Sequence, residues 1–383
     1  MAYVLAYLCV TVWIYSICAR GGFWLVKNSS QNDREEGPLG VARPDTWPSV
    51  MTLIPARNEA ATIRQSVSSI LGQDYSGRLS VVVIDDDSSD DTGALAAACG
   101  PVTVLRNTDL PPGWTGKLWA LKQGVAAAEA SHPDYILLTD ADIVHTPDSV
   151  ASLVAKATSG NYVLTSLMAK LRCTSFAERC HVPAFVYFFQ MLFPFAWVNR
   201  TDIDTAAAAG GCMLVRTDAL RNAGGIDSIR NALIDDCALA ARLKAVGPIW
   251  LGLTERVHSI RAYDSFADIK AMVSRSAYAQ LKFSSLLLIA ATAGMALAFL
   301  APPLLAIFAT GLPQILGALA WLIMAVSFVP MLRFYNLSPL WAVALPAIAT
   351  LYMFYTLTSA YDHLRQRGGA WKGRVHVNAP SLS

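Results

Sequence analysis

The sequence predicts an α/β fold: a doubly wound, Rossmann-like, mostly parallel sheet, with apolar helices at both ends that cross a membrane. Three observations carry this. The 383 residues are 54% hydrophobic and only 15% charged, against roughly 25% charged in an ordinary soluble domain, and mean hydropathy is +0.40. Both ends hold long uncharged apolar runs. Between them, apolar runs of strand length alternate with helical stretches, the pattern of parallel strands joined by crossover helices. Lys and Arg number 30 against 28 Asp and Glu, so no basic excess points to nucleic acid. The seven cysteines form no Cys-x-x-Cys or zinc spacing and read as reduced thiols facing a cytosol.

Residues 1–19 read as an N-terminal membrane anchor, carried by the apolar stretch Tyr3 to Cys18. A cleaved signal peptide is the rival, but no basic segment precedes the run and no Ala-x-Ala site follows it. Arg20 and Lys27 follow the anchor and favour a cytosolic middle domain. Residues 20–48, with Pro38, Gly40, Pro44 and Pro48, read as a linker.

Residues 49–281 read as a cytosolic α/β domain. Val50–Ile54 is strand-like and Ala60–Leu71 helical. Val81–Ile84 is β-branched throughout, as in a strand buried on both faces. Asp91–Ala98 is helical, Val102–Leu105 a strand, Lys117–Ala130 helical and Tyr135–Leu138 a strand. Pro183 to Val198 is aromatic and uncharged, too short to span comfortably and interrupted by Pro194. It reads as an interfacial segment dipping into the bilayer, with a buried core segment as the alternative.

Residues 282–361 read as a C-terminal transmembrane region of three segments. These are Phe283–Ala301, with a break or kink at Pro302-Pro303, then Gln314–Leu332 and Leu340–Tyr361. Residues 362–383 form a basic tail. One anchor plus three full crossings puts that tail outside, against the rule that favours Lys and Arg in the cytosol. One segment is therefore re-entrant or the tail breaks the rule; a cytosolic tail is the preferred reading.

Ligands of open α/β sheets bind beyond the carboxyl ends of the strands. Three such ends are chemically loaded: Pro55-Ala56-Arg57-Asn58-Glu59, Asp85-Asp86-Asp87-Ser88-Ser89-Asp90-Asp91 and Thr139-Asp140-Ala141-Asp142. Each alone is compatible with a turn or a helix cap. Together they gather carboxylates in one cleft, which is costly unless a cation compensates. Asp140 and Asp142 offer hard oxygens of the kind Mg²⁺ or Mn²⁺ prefers, with room for substrate phosphates.

These residues resemble the family 2 glycosyltransferases, which have the GT-A fold with its mixed sheet. The resemblance spans roughly Val50 to Leu281. It implies a nucleotide pocket at Pro55, Ala56, Arg57, Glu59, Asp85, Asp86 and Lys117, the last in Gly116-Lys117. It implies a divalent metal at Asp142 and Asp140 and no organic cofactor. The family's Asp-Asp-Gly loop has Asp87 where Gly is usual. The Gly-rich segment Ala209-Gly210-Gly211-Cys212 implies that Gly210 and Gly211 let the backbone approach the sugar. Ile234-Asp235-Asp236-Cys237 implies that Asp236 is the catalytic base of an inverting transfer, with Asp235 beside it in place of the usual Glu.

Processive synthases of the family carry Gln-x-x-Arg-Trp after the base. Here Arg275 remains without the Gln and Trp, which implies a single transfer, with Arg275 left to bind donor phosphate or to snorkel at the interface. The stretches from Glu178 to Asn199 and from Trp250 to Val257, with Arg275-Ser276-Ala277-Tyr278, resemble the hopene-associated glycosyltransferases of bacteria. The implied partners are a nucleotide-sugar donor, probed first as a UDP-sugar, a hopanoid-related membrane lipid acceptor and the bilayer of the bacterial cytoplasmic membrane. His181 and His258 lack zinc spacing and read as structural, with acceptor contact the alternative for His181. Rival functions are a polyprenyl-phosphate, sphingolipid or carotenoid sugar transferase, a polysaccharide synthase, and a transporter or scaffold.

Overall fold

The computed structural model describes residues 1–26, 44–107 and 109–365. Most of the expected linker lies outside these residues, as does the tail beyond Arg365 with Lys372 and Arg374. The described chain folds as two units. One comprises 44–172 and Trp197–Arg261; the other comprises Met1–Val26, Cys173–Ala196 and 262–365.

The first unit is built on one sheet. Its strands are β1 (Val50–Ala56), β2 (Leu79–Asp86), β3 (Val102–Asn107), β4 (Tyr135–Thr139), β5 (Ile143–His145), β6 (Leu164–Lys170), β7 (Cys212–Arg216) and β8 (Ile249–Ser259). Their order is β3-β2-β1-β4-β7-β6-β8-β5. The first four are mutually parallel. β7 runs antiparallel to both β4 and β6, while β8 is parallel to β6 and β5 antiparallel to β8. β1, β2, β3, β4, β6 and β8 therefore point the same way, and the sheet is mixed, as in the GT-A fold. The apolar runs do become central strands buried on both faces: Leu53, Ile54, Val83, Ile84, Ile136 and Leu137 are all fully buried. Each such side chain contributes roughly 1.5–3 kcal/mol of transfer free energy.

This topology decides where chemistry gathers. The carboxyl ends of β1, β2, β4 and β8 lie along one edge. Because β7 is reversed, its amino end, preceded by Gly210-Gly211, lies on that edge too. The helix Gly116–Glu129 packs against β1 and β2. It starts behind Thr115, whose hydroxyl accepts from the Leu118 N–H at 3.3 Å, a standard N-cap.

The second unit is helical. Among the described residues, four helices are long and apolar enough to cross a membrane: Ala2–Ala19, Ser285–Phe308, Leu312–Phe334 and Pro339–Leu364. Pro302-Pro303 does not break the second of these. A π-helical turn at Ala296–Leu300 precedes the prolines and absorbs the backbone bonds they cannot make.

Residues 173–196 and 262–281, inside the segment expected as catalytic domain, fold with these apolar helices. Phe176–Leu192, which takes in the first part of the expected interfacial segment from Pro183, is a continuous packed helix opened by a Ser175–Glu178 capping box. Its polar groups are met by neighbouring helices. The Tyr187 hydroxyl lies 2.7 Å from Ser327 Oγ. His181 Nδ1 donates to Ala177 O at 2.8 Å, so its Nε2 accepts from Tyr355 Oη at 3.1 Å. His181 is fully buried, which bears out its structural reading. Such cross-helix pairing is how polar groups are kept inside apolar bundles.

Candidate active site

Lys117 occupies the centre of the cleft at the sheet's edge. It stands in the first turn of its helix, and its Nζ reaches Asp140 Oδ1 at 3.0 Å and Asp235 Oδ2 at 3.2 Å. Asp236 completes the group. Its Oδ2 accepts from the Gly210 N–H at 2.9 Å and its Oδ1 from the Cys237 N–H at 2.7 Å. A Cβ on Gly210 would stand 3.3 Å from Asp236 Oδ2 and 3.4 Å from Lys117 Nζ, so only glycine sits here without displacing the carboxylate. Pro55, Leu138 and Met213 line the same cleft.

The electrostatics follow from this crowding. Removal from solvent, and then the neighbouring Asp235 charge, push the Asp236 carboxyl up to about 6, although Lys117 and two backbone N–H groups oppose them. Burial also raises Asp140, opposed by Lys117. For Lys117, burial favours the neutral amine, but Asp140 and Asp235 outweigh it and hold the ammonium above its ordinary value. Lys117 is thus tied to carboxylates on both sides of the cleft, a more specific placement than the nucleotide contact the resemblance implies.

A second cluster adjoins the first. Arg57 donates to the backbone carbonyls of Asp86 and of Asp87, the latter at 2.9 Å. Asp85 Oδ1 accepts from the Ser88 N–H at 3.1 Å. The buried Asp86 accepts from Asn107 Nδ2 at 3.0 Å, and Asn107 in turn accepts from Trp119 Nε1 at 3.0 Å. Asn58 stitches the two loops: its N–H reaches Ser88 Oγ at 3.0 Å and its Oδ1 accepts from Ser89 N at 2.8 Å. Asp87, where the family usually has Gly, has φ of +55°. The turn needs a left-handed residue, and Asp is among the few non-glycine residues that tolerate it. Ala56 is a buried strand residue and offers only its backbone.

Asp142 lies at the far side of the β4 end. Its Oδ2 accepts from Ser259 Oγ at 2.9 Å and from Arg261 Nε at 3.0 Å, while Arg261 Nη2 reaches Glu59 Oε1 at 2.6 Å. Behind β4, Thr139 Oγ1 donates to Gly211 O at 2.8 Å and therefore accepts from His145 Nε2 at 3.0 Å; His145 Nδ1 then accepts from Ser149 Oγ at 2.9 Å. Burial drives the His145 imidazolium down to about 3, so this link is neutral.

The donor chemistry at Asp140 and Asp142 fits a divalent metal. Both present hard carboxylate oxygens at one strand end, the set Mg²⁺ or Mn²⁺ shares with water and substrate phosphates. Among the described residues, no three His, Cys, Asp or Glu side chains close around one point, so a metal here would need water and phosphate oxygens to complete its coordination.

Arg275 belongs to the other unit. It follows the helix Phe266–Ser274 in the helical unit. Asn107, His145, Ser259 and Arg261 were missed from sequence, and Thr139 was named only as the start of the Asp140 segment. The signal for Ser259 and Arg261 was available: Ser259 closes the strand β8 and Arg261 follows it, as the other site residues sit at strand ends.

Comparison with known proteins accords with this geometry. The family model "Glycosyl transferase family 2" matches residues 52–224. An N-acetylglucosaminyltransferase of Bradyrhizobium elkanii is 34% identical over 135 residues, 34% of this chain and 67% of the relative. The glycosyltransferase YdaM of Bacillus subtilis, named as probable, is 35% identical over 108 residues, 27% of this chain and 24% of the relative. For YdaM, as for an N-acetylglucosaminyltransferase of Mesorhizobium japonicum covered over 26% of its length, the match spans about a quarter of the relative. Among solved structures, the mannosyltransferase of Pyrobaculum calidifontis, in complex with GDP-Man and Mn²⁺, shares the fold with a TM-score of 0.54. It is 19% identical, and the match covers 95% of this chain and 99% of that one. Motif, topology and relatives agree: the chain belongs to glycosyl transferase family 2 and is a glycosyltransferase.

Proposed function

We propose that the protein is an inverting, metal-dependent glycosyltransferase of the bacterial cytoplasmic membrane. It moves one sugar from a UDP-sugar to the hydroxyl of a membrane lipid, a hopanoid-related lipid first among them. The observation that carries the reading is Asp236: a carboxylate with raised proton affinity, fixed by the Gly210 N–H and placed beside Lys117 at the cleft's centre.

A lipid hydroxyl is a weak nucleophile. Asp236 accepts its proton as the oxygen attacks the anomeric carbon from the face opposite the leaving diphosphate. A pKa near 6 suits this task, because the group is mostly ionised at neutral pH yet basic enough to take the proton. Lys117 keeps a positive charge between the base and Asp140. Arg57, Asp85, Asp86 and Glu59 form the nucleotide wall. A divalent metal held by Asp142 and Asp140 supplies charge stabilisation to the departing diphosphate. The four apolar helices support a lipid-facing enzyme with its catalytic unit in the cytosol. The missing Gln and Trp around Arg275 support transfer of a single sugar.

The test is transfer by purified, detergent-solubilised full-length protein. It is offered a panel of UDP-sugars, Mn²⁺ or Mg²⁺ and bacterial lipid extract, with products read by mass spectrometry. The expected product is a lipid heavier by one hexose or N-acetylhexosamine. Asp236→Asn should lower turnover by about 10²–10⁴-fold with UDP binding retained, and Asp142→Ala should lose metal-dependent binding. No UDP-sugar binding in calorimetry would sink the donor assignment. A water-soluble product alone would sink the lipid acceptor.

A further inference from the structure

Neither base catalysis nor nucleotide recognition accounts for Arg261. Its guanidinium bridges two largely buried carboxylates from different loops, with Nε 3.0 Å from Asp142 Oδ2 and Nη2 2.6 Å from Glu59 Oε1. The exposed fraction of the side chain is 10% for Glu59 and 11% for Asp142. Two such carboxylates repel unless a cation stands between them, and a planar guanidinium reaches both with charge-assisted hydrogen bonds. Both contacts to Asp142, from Arg261 and from Ser259 Oγ at 2.9 Å, fall on the same oxygen. The backbone beneath is held independently, because Ile260 N donates to Asp142 O at 2.9 Å. A swing of the Arg261 side chain therefore leaves the strand end in place.

Resting on the donor and metal reading above, we propose that Arg261 is an internal counter-ion that occupies Asp142 until a divalent cation replaces it, and then binds the donor's diphosphate. A cation arriving at Asp142 must displace a bound guanidinium, which weakens binding of the metal alone. Glu59 keeps the displaced arginine tethered at the nucleotide wall. There its freed N–H groups meet the diphosphate that arrives with the metal. Metal and donor then bind together more tightly than either alone, and Asp142 is not left as an uncompensated charge when the cleft is empty.

The experiment measures binding of Mn²⁺ alone to full-length protein in detergent, by electron paramagnetic resonance of the free ion, and of UDP with Mn²⁺ by calorimetry. Arg261→Gln should bind Mn²⁺ alone at least tenfold more tightly than wild type, and UDP with Mn²⁺ at least tenfold more weakly. Arg261→Lys, which keeps the charge but not the bridge, should fall between. Arg256→Gln removes a charge from β8, the strand that leads into Arg261, where Arg256 pairs with Asp148 at 2.8 Å, and should leave Mn²⁺ affinity at the wild-type value. Unchanged or weaker Mn²⁺ binding in both Arg261 variants overturns the inference. So does a wild-type structure with Mn²⁺ and UDP in which Arg261 still lies on Asp142. If the wild type binds UDP with Mn²⁺ and the variants fail these expectations, only the inference falls. If it binds no UDP with Mn²⁺, the donor reading falls with it.

Discussion

Around Asp236 the forces oppose one another, and the balance is measurable. Desolvation and Asp235 raise its pKa to about 6, while Lys117 resists. A base works only when deprotonated, so kcat/KM should rise with pH through about 6 and level off above it. Lys117→Met removes the nearby cation that favours the carboxylate. The acid limb should then move to higher pH by about one unit, and a pH–rate profile reads this directly. At Asp87 the constraint is steric rather than electrostatic. Its φ of +55° suits Gly, is tolerable for Asp and is poor for a β-branched residue. Asp87→Gly should keep the fold, whereas Asp87→Val should lower stability by ~1–2 kcal/mol in denaturant titration.

The elements of the site hold one another through buried neutral links. His145 on β5 connects Thr139 at the end of β4 to Ser149 at the start of the helix Ser149–Ser159. Through Thr139 it also supports the Gly211 carbonyl. Its folded-state pKa is depressed from 6.5 to about 3. The neutral form's stability is therefore fully present above pH 6.5 and is lost as pH falls from there towards 3. Wild-type unfolding free energy should decline below pH 6.5, and His145→Gln, whose amide also donates, should flatten that decline. Stability measured from pH 7 to 5 with both proteins checks this. Lys117 belongs to this scale as well. Helix periodicity places it in a first turn, but its span to Asp140 and Asp235 exists only because the helix packs on β1 and β2.

Across the whole molecule, two units alternate along the sequence: the chain leaves the sheet unit after Arg172 and again after Arg261. The uncharged apolar stretches were legible because bilayer-length runs follow from composition alone. The fate of 173–196 was not legible, because its aromatic run from Pro183 is compatible with an interfacial lip, a core segment or a packed helix. With Leu286, Ile289, Leu304, Phe308, Ile315, Leu322 and Leu340 all exposed, the protein should remain in the membrane fraction through high salt and alkaline carbonate. It should be released only by detergent; release by salt would count against spanning helices.

By itself the sequence determined the α/β alternation, the apolar ends and the carboxylates at the ends of β1, β2 and β4. Each of these is a local property: periodicity, hydropathy, or a polar residue directly after an apolar run. Only the tertiary structure decided what those carboxylates touch. The reversed β7 carries Gly210 to Asp236, β8 carries Arg261 to Asp142 and Glu59, and one helix start sets Lys117 among the acids. Charge pairing depends on distances of about 3 Å between residues up to 202 positions apart. Such distances are set by sheet order and strand direction, which no local pattern records.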